Sequence, residues 1–159
     1  MDKLLLEYRR LVNSSTTQPF LTPMPRKVWM LTNTPPKCKL SAFQKEEIKA
    51  KAQKFLDEVF KAVVIRPAPV DAQFNYMVDV SVKWHGAYLI FMTKYACPAP
   101  NALSPFFEVP LARFEYFSRD EWSVWARRHN DQWMDMGGMR LTLEGCFDEM
   151  LTNPWFNAG

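Results

Sequence analysis

The clearest pattern in the chain lies between residues 41 and 64. Ile48, Ala52, Phe55, Leu56, Val59, Phe60 and Val63 recur at steps of three and four, the spacing that lines one side of an α-helix. The opposite side carries Glu47/Lys51, Lys54/Glu58 and Asp57/Lys61, pairs four apart whose opposite charges attract across one turn. Ser41-Ala42-Phe43-Gln44 reads as a capping box, in which hydroxyl and amide each satisfy an N–H of the first turn. Arg66-Pro67-Ala68-Pro69 stops the pattern, because a residue before proline is pushed out of the helical region. A helix over about 42–63 is predicted.

From Phe74 the period shortens to two. Phe74, Tyr76, Val78, Val80, Val82 and Trp84 alternate with Asn75, Asp79, Ser81 and Lys83, the mark of a strand with one face on a core. His85-Gly86 supplies a tight turn, and Tyr88 to Tyr95 returns with apolar residues on both faces, as an interior strand would. A loop over 97–105 leads to a third strand, about Phe107 to Phe117. Pro110 is expected near its start or at an edge, since proline has no N–H to donate. Ser118-Arg119-Asp120 turns into a fourth strand, Glu121 to Arg128, and Asn130-Asp131 into a short fifth, Gln132 to Met136. Thr142 caps a closing helix of about 142–152, striped by Leu143, Cys146, Phe147, Met150 and Leu151.

The first forty residues follow other rules. Residues 2–12 have helical spacing, but Pro19, Pro23, Pro25, Pro35 and Pro36 then exclude regular helix or central strand, apart from an edge strand over Lys27 to Leu31. Two segments result: a short helix and Pro-rich arm over 1–40, and a single α+β domain over 41–159. Strands follow one another without intervening helices. The expected fold is therefore an antiparallel meander sheet of about five strands packed with an N-terminal and a C-terminal helix. Phe55, Val59, Val80, Phe114, Trp122 and Phe147 are predicted to be almost completely buried.

Composition narrows the class further. A chain of 159 residues that is 48% hydrophobic and 14% aromatic can bury a core without metal or disulfide staples. No apolar run approaches the roughly 18 residues of a membrane span, and charge follows at once on the opening Met1 to Glu7 stretch. A cytoplasmic location without membrane contact is expected. Cys38, Cys97 and Cys146 are odd in number, far apart and outside any zinc spacing, so they are read as reduced and passive. The net charge of +3 permits an acidic partner without demanding one.

Several motifs resemble a small bacterial family catalogued as a domain of unknown function. They are Val109-Pro110-Leu111-Ala112-Arg113-Phe114-Glu115-Tyr116, then Trp122-Ser123-Val124-Trp125-Ala126-Arg127, then Trp133, and finally Pro154-Trp155-Phe156. The likeness covers about residues 45–159 and implies the fold, since the motifs are mostly structural. Members usually carry Arg-Pro where this chain has Tyr95-Ala96-Cys97-Pro98, and often Trp-His where it has Trp133-Met134.

Residues for chemistry are scarce. His85 and His129 fall at predicted turns, carboxylates cluster at turns where water solvates them, and the two common phosphate-loop patterns are missing. No catalytic residue, metal site or cofactor is assigned, and an enzyme is disfavoured. The surplus is aromatic. If Phe114, Tyr116, Trp122 and Val124 face the core, then Arg113, Trp125 and Arg127 share the opposite face, with Arg119, Arg128 and His129 near its ends. Trp29 on the arm and Trp155 near the terminus complete the candidate binding set. Its expected use is recognition of a protein partner or of a second copy in a homodimer, because Trp and Arg dominate interface energetics. Nucleic acid stacked on the Arg113/Trp125/Arg127 face is the alternative.

Overall fold

The computed structural model describes residues 38–157. The predicted N-terminal helix and most of the arm, with Trp29 and the 27–31 strand, lie outside the described residues. The first described helix, α1 (Ala42–Phe55), starts on the expected capping box. Ser41 Oγ accepts the Gln44 N–H at 3.2 Å, and Gln44 Oε1 accepts the Ser41 N–H at 2.9 Å. It runs without a break through a π-helical turn (Leu56–Phe60) into α2 (Lys61–Val64).

That π turn changes which residues are buried. In a plain α-helix a step of four overshoots one turn by about 40°, so an apolar stripe must alternate threes and fours. The wider π turn cancels part of the overshoot, so Ala52, Leu56, Phe60 and Val64 all reach the core at a constant step of four. Val59 and Val63, predicted for the buried stripe, are instead 41% and 53% exposed, and Phe55 is only partly buried.

Among the described residues five strands form one antiparallel sheet in chain order: β1 (Tyr76–His85), β2 (Tyr88–Ala96), β3 (Phe106–Ser118), β4 (Glu121–Arg127) and β5 (Trp133–Asp135). The meander is as expected. Val80, Val82, Leu89, Phe91, Ala112, Phe114, Trp122, Val124 and Ala126 form the core face, against which the helices pack. A bulge at Val78 inserts one extra residue into β1, so Met77 rather than Tyr76 packs on the core. This resets the alternation expected from Phe74, which is 83% exposed.

Pro110 lies inside β3, the middle strand, past its start but in a stretch where β3 is locally an edge among the described residues. Two features make it tolerable there. It flanks a bulge at Leu111, and the pairing with β4 begins only at Ala112, so among the described residues β3 has β2 alone beside it at Pro110.

The turn between β3 and β4 holds Arg119 and Asp120 at φ 46° and 62°, the left-handed pair that lets a two-residue hairpin match the strand twist. Asp120 tolerates this because its carboxylate is used twice. Oδ1 accepts the Trp122 indole N–H at 2.9 Å and the Leu143 N–H at 3.3 Å, tying the turn to α3 (Leu143–Thr152). Thr142 Oγ1 caps α3 through the Gly145 N–H. Phe147 on α3 stacks on Phe55 with centroids 4.4 Å apart and lies 6.0 Å from Phe114, so the two helices meet over the sheet centre. Cys146 is fully buried beside it, and burial pushes its thiol pKa up to about 12, with Asp120, Glu149 and Glu144 adding to the shift. A last turn, α4 (Pro154–Asn157), inserts Phe156 into the core.

Candidate binding face

The side chains opposite the core follow from alternation and register. Arg113 and Glu115 on β3, Ser123, Trp125 and Arg127 on β4, and Tyr88, Ile90 and Met92 on β2 all point away from the helices. Arg113 is Cα-paired with Trp125 on one side and with Ile90 on the other. The predicted opposition of Phe114, Trp122 and Val124 to Arg113, Trp125 and Arg127 holds.

What the strands assemble there is a guanidinium among rings. The Arg113 guanidinium carbon lies 4.4 Å from the Tyr88 centroid, 4.9 Å from Trp125 and 4.8 Å from Trp133. One ring comes from β2, one from β4 and one from β5, so a meander of four strands is needed to build the cluster. Each such contact is worth about 0.5–2 kcal/mol, more as water is excluded. All four residues are partly buried. Trp125 is held further by its indole N–H, which donates to Ser123 Oγ at 2.8 Å, and Ser123 is itself buried.

The donors of Arg113 are unspent. Among the described residues its guanidinium makes no hydrogen bond or ion pair, and its Nε is buried without a partner. Arg127 differs. Its Nε is likewise buried without a partner, but its Nη2 meets Asp131 Oδ1 at 2.8 Å, a pair across the β4–β5 turn that compensates its charge. Arg127 is therefore on the predicted face without joining the ring cluster.

The other candidates disperse. Trp155 is 45% exposed on α4, on the helix side of the sheet and therefore across it from Trp125. Trp29 lies outside the described residues. Two members of the cluster, Tyr88 and Trp133, were not foreseen. Trp133 was legible in principle: a hairpin turning at Asn130-Asp131 pairs it with Arg127, on the Trp125 side of the sheet. Tyr88 was not, because β2 is apolar on both faces and its pattern assigns no side.

Nothing else in the described residues gathers chemistry. His85 and His129 are exposed, and neither side chain makes a hydrogen bond among the described residues. No group of three or more His, Cys, Asp or Glu able to hold a metal ion occurs among the described residues. A cleft of about 360 Å³ opens near Cys38, Lys45, Gly86 and Glu115, with Lys45 Nζ already donating to the Gly86 carbonyl at 2.8 Å. No helix among the described residues is long and apolar enough to cross a membrane.

These strands and rings belong to a known family of unassigned role. The model of a domain of unknown function, DUF3024, matches residues 40–156, and the chain belongs to that family. No curated protein and no solved structure matches it.

Proposed function

We propose that this chain is a binding protein that recognises a protein partner, or a second copy of itself, through the outer face of its sheet. The observation that carries the reading is the cluster of Tyr88, Trp125 and Trp133 around Arg113. Trp, Tyr and Arg are the residue types in which interface energy concentrates, and rigid rings lose little entropy when a partner covers them. Held by strands, the cluster is preorganised, which lowers the cost of association.

Charge favours protein over nucleic acid as the partner. A nucleic-acid face neutralises several phosphates with Lys and Arg. Here Arg127 is engaged by Asp131, and Glu115 and Asp135 occupy the strands on either side of Trp125. The test compares wild type with a Trp125→Ala/Trp133→Ala double variant in affinity capture from the source cells, alongside sedimentation at micromolar concentration. The reading expects proteins retained by wild type and lost by the variant, or a wild-type dimer that the variant dissociates. Identical capture profiles together with two monomers would refute it. Oligonucleotide binding that collapses between low and moderate salt and disappears in the variant would select the nucleic-acid alternative instead.

A further inference from the structure

Resting on that reading of the outer face, we propose that Arg113 is a receptor for a carboxylate, the Asp or Glu side chain of a partner protein. Three rings fix the guanidinium in one orientation, so little rotamer freedom remains to be lost when a ligand arrives. A ring meets a guanidinium as a π face but accepts none of its N–H groups as an oxygen does. Arg113 thus makes no ion pair and no hydrogen bond among the described residues, while the acids that share its face are Glu115 two residues along β3 and Asp135 beside Trp125. The Tyr88 hydroxyl and the Trp133 indole N–H, on two of the framing rings, likewise have no hydrogen-bond partner among the described residues. The Trp125 N–H is spent on Ser123.

A planar fork of N–H donors matches a carboxylate in a bidentate pair, and partial exclusion of water strengthens the attraction. The ligand that satisfies both parts of the cluster is an acidic side chain flanked by apolar ones, the acid on Arg113 and its neighbours on the indoles. Charge complementarity selects this occupant. A basic peptide would bring its cation against Arg113, and a wholly apolar one would cover the guanidinium and leave its donors unpaired.

The probe is a random-peptide library displayed on phage and selected on immobilised wild-type protein. Enriched peptides are then synthesised with acetylated and amidated ends, so that only side-chain carboxylates remain. The expected result is a shared Asp or Glu. Its replacement by Asn or Gln weakens binding roughly tenfold or more, and Arg113→Lys does the same, because a lysine keeps the charge but loses the fork. Peptides that tolerate both changes yet lose binding to the Trp125→Ala/Trp133→Ala variant overturn the carboxylate receptor and leave the surface intact. Peptides that need a free C-terminus overturn the side-chain source. Peptides indifferent to every variant, or no enriched peptide at all, overturn this proposal, and the capture and sedimentation comparison then decides the surface reading separately. The substitution on the peptide tests the idea even if an Arg113 variant fails to fold.

Discussion

Replacing Phe147 with Ala tests how the helix layer is held to the sheet. The ring is 8% exposed, stacks on Phe55 at 4.4 Å with a 12° interplanar angle, and touches Phe114 at 6.0 Å. Full truncation of a buried Phe costs about 3–5 kcal/mol, as lost transfer energy plus a cavity. Phe55 is only partly buried, so the hole opens near the surface and water can relax it, which points to the lower part, about 3 kcal/mol. Against a total stability of about 5–15 kcal/mol this is a large fraction. Urea unfolding followed by tryptophan fluorescence and circular dichroism should show the midpoint falling by about 1–2 M at constant slope. A double-mutant cycle with Phe55→Ala should recover about 0.5–1.5 kcal/mol of coupling for the stacked pair. Val59→Ala, on the face turned outward by the π turn, should cost less than about 1 kcal/mol. A loss below about 1 kcal/mol for Phe147→Ala, or a larger loss for Val59→Ala, would refute both the helix phase and the packing argument.

Three further outcomes follow from the same contacts. In thiol labelling at neutral pH, exposed Cys38 should react in the native protein and Cys146 only after unfolding; its raised pKa also means that the stability it contributes is full below its ordinary value of 9.0 and lost as pH rises toward about 12. Lys61 bridges Asp57 and Asp79 at 2.8 and 2.9 Å, its hydrogen bond holding the Asp57 carboxyl below the ordinary 3.8; that contribution should be present above pH 3.8, fade as pH falls through the lowered value, and be missing from acid-denaturation curves of Lys61→Met. Asp120→Ala leaves the buried Trp122 indole N–H without an acceptor and should cost about 1–3 kcal/mol in urea unfolding, with a loss near zero contradicting the role given to that turn.

Much of the fold was readable because its signals are local. A capping box, two hairpin turns and a clean change of period from 3.6 to 2 mark where each element starts and what it is. The two errors of phase, in the first helix and in β1, share one physical origin, insertion of a single residue into a regular repeat. The π turn at Leu56–Phe60 and the bulge at Val78 each re-aim the side chains around them, and no local residue preference announces either. The same logic explains the site. Arg113 and Trp125 were legible since β3 and β4 alternate unambiguously, whereas Tyr88 sits on a strand that is apolar on both sides. The engagement of Arg127 by Asp131 depends on the backbone of a turn where Asp131 adopts a φ of 64°, a detail below the reach of pattern.

The central claim is that partners meet the outer face of the sheet around Arg113. Photo-crosslinking in the source cells addresses it most directly, with a light-activated residue placed singly at exposed Lys83 and Glu121, on the outer face of β1 and β4, and at exposed Ala62 on the outward side of α2. The account predicts discrete protein adducts, or a crosslinked dimer, from Lys83 and Glu121 that vanish when Trp125 and Trp133 are changed to Ala, and none from Ala62. Adducts from Ala62 alone, or from Lys83 and Glu121 undiminished by the tryptophan changes, would contradict it.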